Sequence, residues 1–397
     1  MKTPFRLLFL RALLILVPLT QATALSSNDL VPAFAKSKTT AQLVLHDLLP
    51  NTDHTTIRVA LLLDTSNSMD GLIDQAKAQL WELVNELSYA RCGNEQKPAL
   101  AIALYEYGND GLNAREGYIR QVLPLSSDLD EISKQLFALR TNGGNEYCGQ
   151  VIQTAINQLD WGVQQQDLNL IFIAGNEPFT QGPIRYQDAA ANACEKDISI
   201  NTIFCGNYNE GVHTSWKDGA QRTKGDYIAI NSDKQTVHIP SPYDQEILKK
   251  NKELNTTYIA YGSLGRSKIQ EQEVQDDNAQ SYGNANAVKR AVSKSSHFYK
   301  NEKWDLVDAE ASGVVDYNSL SQDQLPTALQ GKTAAEIKAY VDKQRDKRER
   351  IQEEIAALNK KRRLYVSEQA KAPDNQLRSA LLVAIKKQAS KKSFTWD

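Results

Sequence analysis

Asp64, Ser66 and Ser68 place one carboxylate and two hydroxyls at alternate positions of the stretch Asp64-Thr65-Ser66-Asn67-Ser68. These are hard oxygen donors, suited to Mg²⁺, Mn²⁺ or Ca²⁺ rather than to zinc. The same residue types also make an ordinary turn and helix N-cap. The surroundings favour a site. The apolar run Val59 to Leu63 ends at Asp64, and a helical pattern begins at Leu72. Open α/β sheets hold ligands beyond the carboxyl ends of their strands. Other chemistry is thinly represented. The histidines (His46, His54, His213, His238, His297) are scattered without H-E-x-x-H spacing. There is no G-x-S-x-G elbow, Walker A loop or dinucleotide-binding glycine fingerprint. The chain therefore reads as a non-enzyme, with carboxylate-and-metal hydrolysis as the minor alternative.

The elements that must position this stretch follow an alternating pattern. Strands are expected at 58–63, 99–107, 118–125, 168–174, 198–205 and 227–230. Helices are expected at 72–87, 129–139, 151–159, 186–194 and 214–222. Strands alternating with helices imply an α/β fold: a doubly wound, mostly parallel sheet covered on both faces. This sheet domain is assigned to residues 57–235. Residues 236–320 form a mixed extension packed on it, with helices at 243–254 and 286–295 and an unassigned, Gln-rich polar stretch at 268–280. Residues 321–397 are helical. Thr333-Ala334-Ala335-Glu336 is a capping box that starts a helix. Ile337, Val341, Gln344, Arg348, Ile351, Ile355, Leu358, Arg362 and Tyr365 then step by four and three, a heptad-like seam. Pro373 ends it, and Leu377, Leu381 and Ile385 share one face of a second helix. A helical hairpin or short coiled coil is the expected product, with self-association through these helices as one use. The basic and acidic residues of 338–363 read as a solvated helix face.

The N-terminus carries Lys2, Arg6 and Arg11 before the apolar stretch Ala12 to Leu19, then Ala22-Thr23-Ala24. Residues 1–24 read as a secretory signal peptide cleaved near Ala24, followed by a leader or linker at 25–56. No later segment approaches a transmembrane helix, so the mature chain is expected in the periplasm or outside the cell. An exported chain can keep disulfides. The cysteines are Cys92, Cys148, Cys194 and Cys205, without a C-x-x-C pair. Four cysteines allow three pairings. Cys148 with Cys205 is the preferred one, because both are expected at the carboxyl edge of the sheet. A net charge of -2 gives no field that favours nucleic acid.

The Asp-x-Ser-x-Ser stretch, its strand–helix context and the α/β succession resemble a von Willebrand factor A domain over about residues 58–230. The resemblance implies a metal-ion-dependent adhesion site holding Mg²⁺ or Mn²⁺, with the partner completing the coordination through its own carboxylate. Asp64, Ser66 and Ser68 match the first loop. The second loop commonly reads Gly-Gly-x-Thr-x-Thr-Gly; here Glu146 of Gly143-Gly144-Asn145-Glu146-Tyr147-Cys148-Gly149 stands at the ligand Thr. The third loop carries Asp after its strand; here Gly175 stands there and Glu177 follows two residues on. The metal set carried over is Asp64, Ser66, Ser68, Glu146 and Glu177. Tyr147 and Phe179 are candidates for an aromatic rim. The expected function is an exported, cell-envelope protein-binding module with a rewired adhesion site. The alternative is a structural or assembly factor with a vestigial site, binding through its helical tail.

Overall fold

The computed structural model describes residues 55–93, 95–232, 239–369 and 376–396. The signal peptide 1–24 and nearly all of the leader 25–56 lie outside the described residues.

The long strands are β1 (Thr56–Asp64), β3 (Ala99–Tyr107), β4 (Ile119–Ser126), β5 (Leu168–Gly175), β6 (Ile198–Cys205) and β7 (Tyr227–Ile230), and β2 (Ala90–Arg91) pairs with β8 (Thr395–Trp396) in a separate ribbon. The main sheet runs in the order β4-β3-β1-β5-β6-β7. Only β4 is antiparallel, to β3; β3-β1, β1-β5, β5-β6 and β6-β7 are parallel. The central strands are apolar on both faces, as a sheet covered on both sides requires. Alternate residues separate cleanly. Ile57, Val59, Leu61 and Leu63 enter one core, and Ala60 and Leu62 enter the other.

The helices of the sheet domain are α1 (Asp70–Ser88), α2 (Leu129–Ala138), α3 (Cys148–Gln158), α4 (Tyr186–Glu195), α5 (Tyr208–His213) and α6 (Trp216–Gln221). α1 and α2 supply Leu72, Leu80, Trp81, Leu83, Leu129, Ile132 and Leu136 to the first core. α3, α4 and α6 supply Val151, Ile152, Ala189, Ala190 and Trp216 to the second. The helix expected at 214–222 is the shorter α6; Ser215, with a left-handed φ of 73°, separates it from α5, which the sequence reading did not assign.

Beyond the sheet lie α7 (Asp244–Asn255), α8 (Gly265–Ser281), α9 (Asn284–Lys294), α10 (Leu306–Ala311), α11 (Ala334–Gln369) and α12 (Gln376–Ala389). α8 occupies the polar stretch left unassigned by sequence. Half of its buried positions are amides, Gln272 and Gln275, and the others are Gly265 and Ala279, so no strong apolar period marks it. Gln272 Nε2 donates to Tyr299 Oη at 2.9 Å, and Ser133 Oγ donates to Gln275 Oε1 at 2.8 Å. Those bonds satisfy groups that burial would otherwise penalise.

The capping box forms as expected. Thr333 N donates to Glu336 Oε2 at 2.8 Å, and Glu336 N donates to Thr333 Oγ1 at 3.3 Å. The long C-terminal helix α11 buries Ile337, Val341, Arg348, Ile351, Ile355 and Arg362 of the seam. It does so against α7, α9 and α10 of the same chain. α12 packs on α1 and on β5, β6 and β7, with Leu381, Leu382 and Ile385 in the first core. No helix among the described residues is long and apolar enough to cross a membrane.

Candidate functional site

The site sits where β1, β3 and β5 end side by side. Asp64 pairs in register with Tyr107, and Leu63 with Ala174. Asp64, the last residue of β1, is fully buried. Its Oδ1 accepts the Ser66 N–H at 2.8 Å, while its Oδ2 has no hydrogen-bond partner among the described residues. The Ser66 and Ser68 hydroxyls lie 3.4 Å apart. Asn176 Nδ2 reaches from the third loop to donate to Ser68 Oγ at 3.2 Å.

The second loop is drawn tightly over this floor. Asn142 N donates to Thr65 O at 2.9 Å. A Cβ on Gly144 would lie 2.5 Å from Gly108 O, so only glycine lets these backbones meet. A Cβ on Gly108 would lie 2.7 Å from both Asp64 Oδ1 and Glu146 Cγ. Asp64 and Glu146 therefore press on the same point of the backbone. Glu146 is itself buried, at 5% exposure.

In the third loop, a Cβ on Gly175 would meet Tyr107 Oη at 2.5 Å and Asp64 Oδ2 at 3.0 Å. The room for the family's Asp has been taken by the Tyr107 hydroxyl, which donates to Ala174 O at 3.0 Å. Tyr107 is fully buried, and burial raises its pKa well above the usual phenol value. Cys148 Sγ stands 3.8 Å from the same hydroxyl. Glu177 turns outward. Its carboxylate accepts from Gln181 Nε2 at 3.1 Å, and its carbonyl accepts the Trp216 indole N–H at 2.8 Å.

Burial dominates the electrostatics. It pushes the Asp64 carboxyl up to about 7, with Glu177 adding to the rise against the lowering hydrogen bonds from Ser66. It pushes Glu146 up to about 8, with Asp64 and Glu177 adding to the rise. Each acid disfavours the charge on the other. The floor is thus a pair of buried carboxyl groups whose titration burial moves up to the neutral range.

The structure brings Asp64, Ser66, Ser68 and Glu146 together, with Glu177 at the margin. It does not make them the expected metal centre. Among the described residues, no group of three or more His, Cys, Asp or Glu side chains could hold a metal ion. The reading of a Mg²⁺ or Mn²⁺ adhesion site is corrected accordingly. Three features explain it: Gly175 contributes no oxygen, Tyr107 fills the vacated room, and Ser68 is engaged by Asn176.

The disulfide is corrected too. None of the four cysteines forms a disulfide among the described residues. Cys148 belongs to the core under α3 and α4, whereas Cys205 belongs to the core under α1, so the sheet stands between them. Of the two aromatic rim candidates, Phe179 is buried at 1% exposure, packed on Trp216 with ring centroids 4.8 Å apart. Tyr147 is half-buried, edge-on to Tyr118.

Sequence reasoning missed Tyr107, Asn109 and Asn176. Asn109 Nδ2 donates to Arg140 O at 3.0 Å and braces the loop after β3. The one signal in the sequence was position: each follows or ends an apolar strand, as Asp64 does.

The sheet domain has counterparts among known proteins. Residues 59–236 match the von Willebrand factor type A domain. A search of the curated proteins found no match. Among solved structures, the conserved hypothetical protein BatB from Bacteroides thetaiotaomicron is 18% identical, covering 44% of this chain and 90% of its own, with a TM-score of 0.34. Proximal thread matrix protein 1 from the mussel byssus, solved with a zinc-occupied MIDAS motif, is 12% identical over 46% of this chain and 43% of its own, with a TM-score of 0.34. The pilus adhesin SpaC from Lactobacillus rhamnosus GG is 11% identical over 46% of this chain and 28% of its own, with a TM-score of 0.34. Residues 59–236 of this chain are a von Willebrand factor type A domain, and a long C-terminal helical region is joined to it.

Proposed function

We propose that this chain is an exported protein-binding module of the cell envelope that engages its partner through the loop edge of the sheet without a bound metal. The observation that carries this reading is the polar rim above the buried carboxyl floor. Asn67, Asp110, Asn142 and Asn145 are all exposed. They cluster: a Cβ on Gly143 would lie 3.5 Å from Asn67 Nδ2 and 3.6 Å from Asp110 Oδ2. Amides supply both donors and acceptors, so they can bind a polar partner surface directly. The floor beneath is fixed by backbone contacts at Gly108 and Gly144, which keeps the rim pre-organised. The carboxylate bridge that a metal would support has no anchor here. Binding through the helical tail is disfavoured, because α11 already buries its seam on its own chain. The signal-peptide pattern of residues 1–24 supports the export step.

The test is capture from an envelope extract by wild type and by an Asn67→Ala, Asn142→Ala, Asn145→Ala triple variant, each with and without EDTA. Capture is expected to survive EDTA and to fall in the variant. Capture abolished by EDTA, or untouched by the triple substitution, would overturn the reading.

A further inference from the structure

A second opening lies beside the edge strand β7, between α6, the segment entering β7, and α12. It holds about 490 Å³ and is lined by Lys217, Lys224, Asp226, Tyr227, Lys387 and Lys391. That volume lies in the usual range of small-ligand sites, roughly 300–1,000 Å³. Its charge departs sharply from that of the whole chain, which is -2. Four lysines face one carboxylate. Asp226 is already committed, since Lys387 Nζ donates to its Oδ1. Lys217 Nζ is held by Tyr208, donating to its hydroxyl at 3.2 Å and lying 5.6 Å from its ring centroid. Among the described residues, no carboxylate pairs with Lys217, Lys224 or Lys391.

The walls are rigid where it matters. Tyr227 Oη donates to Tyr208 O at 2.7 Å, and the two rings stand 5.1 Å apart. A Cβ on Gly225 would come within 1.8 Å of Ile200 O, so the backbone carrying Lys224 lies directly on β6. Of the three remaining ammonium groups, Lys217 and Lys224 come from α6 and the turn after it, and Lys391 from the chain after α12. The fold brings Lys391, from far along the chain, to the other two.

We propose that this cleft binds a phosphoryl group. Lysine ammonium is a compact point charge with three donors. A phosphate monoester carries about -1.5 to -2 charges and three strong acceptor oxygens near neutral pH. It can meet several lysines at once, whereas a carboxylate brings one charge and leaves the others unmatched. The phosphoryl group can arrive on a soluble ester or on an anionic lipid headgroup, and both present the same oxygens.

The test is calorimetric titration of the full chain with inorganic pyrophosphate at low and at high KCl, roughly 50 and 300 mM, a change that shortens the Debye length more than twofold. The comparison variants are Lys224→Gln/Lys391→Gln in the cleft and Lys360→Gln/Lys361→Gln on the exposed side of α11, which remove the same charge. The cleft variant is expected to bind at least tenfold more weakly, and the α11 variant to match wild type. Sedimentation with phosphatidylglycerol vesicles, against phosphatidylcholine vesicles, separates the sources. Sedimentation that pyrophosphate competes away identifies the headgroup. Pyrophosphate binding without sedimentation identifies a soluble ester. Absence of binding to both pyrophosphate and phosphatidylglycerol, or equal weakening by the two variants, would overturn the proposal. Circular dichroism of each variant confirms that the fold is kept.

Discussion

Asp64→Asn separates a protonated floor from a cation-holding one. The substitution keeps side-chain shape and can keep the oxygen that accepts the Ser66 N–H at 2.8 Å. In wild type the folded-state carboxyl titrates at about 7, against an ordinary 3.8. Between those values the folded chain holds a proton that the unfolded chain has released. The stability this group contributes is fully present below about pH 4 and is lost as pH rises through the folded-state value. Each pH unit crossed in that window costs about 1.4 kcal/mol, so moving from pH 5 to pH 8 removes about 2–3 kcal/mol through Asp64. The variant has no such group to ionise. Urea unfolding of both proteins in EDTA at pH 5 and pH 8 reads the difference. The gap between them is expected to move by about 2–3 kcal/mol in favour of the variant at the higher pH. The new amide N–H faces a position where Asp64 Oδ2 has no partner, which adds an offset. That offset does not depend on pH, so the change in the gap is unaffected by it. A gap that does not move with pH would refute the reasoning. So would a wild-type midpoint at pH 8 that Mg²⁺ raises and Asp64→Asn abolishes, because the negative charge would then be compensated by a cation.

Two further substitutions probe the frame around the site. Gly175→Ala places a methyl where Tyr107 Oη lies 2.5 Å away, and overpacking of this kind costs about 1–3 kcal/mol. In a Tyr107→Phe background that penalty is expected to shrink by ~1 kcal/mol or more, read as the coupling in a double-mutant cycle; simple additivity would show that the hydroxyl does not occupy the room. Arg348→Leu strips the cation from fully buried Asp305, which Arg348 holds at 2.7 Å. Breaking a buried pair from one side costs about 3–5 kcal/mol, and a loss under ~1 kcal/mol in urea unfolding would contradict the assigned contact.

The sheet was legible because its residues obey simple periods. Ala99 to Tyr107 and Tyr227 to Ile230 are strands to the residue, and Leu72 to Leu87 falls inside α1. α8 was not legible, because the chain buries glutamine amides there and pairs them with Tyr299 and Ser133. Periodicity registers hydrophobicity, not satisfied polar groups. The first loop of the site could be placed from Asp64, Ser66 and Ser68. The role of Tyr107 could not, since it depends on β3 and β5 flanking β1, and strand order is a long-range property. The cysteine pairing failed for a similar reason. Cys148 and Cys205 do both stand near strand ends, but on opposite faces. Nearness to an edge in sequence terms carries no face.

The helices beyond the sheet bear on function through what they cover. α9 lies along α1: Asn85 Nδ2 donates to Lys289 O at 2.8 Å, Lys289 pairs with Glu82 at 2.6 Å, and Arg290 stacks 4.6 Å from the Trp81 ring. Arg290 also pairs with Asp130 of α2 at 2.8 Å and Asp276 of α8 at 2.5 Å. Arg362 ties α11 to Asp244 at the start of α7 at 2.8 Å. Buried pairs of this kind add little net stability over apolar packing, but each fails badly when one partner shifts. They therefore penalise sliding of these helices over the α1 face. A partner approaching that face would have to displace paired charges. The loop rim around Gly143 and the lysine cleft beside β7 lie outside that network of pairs, and they share no lining residue. Two ligands of different chemistry, a polar protein surface and a phosphoryl group, can therefore be held on one rigid frame without competing for the same residues.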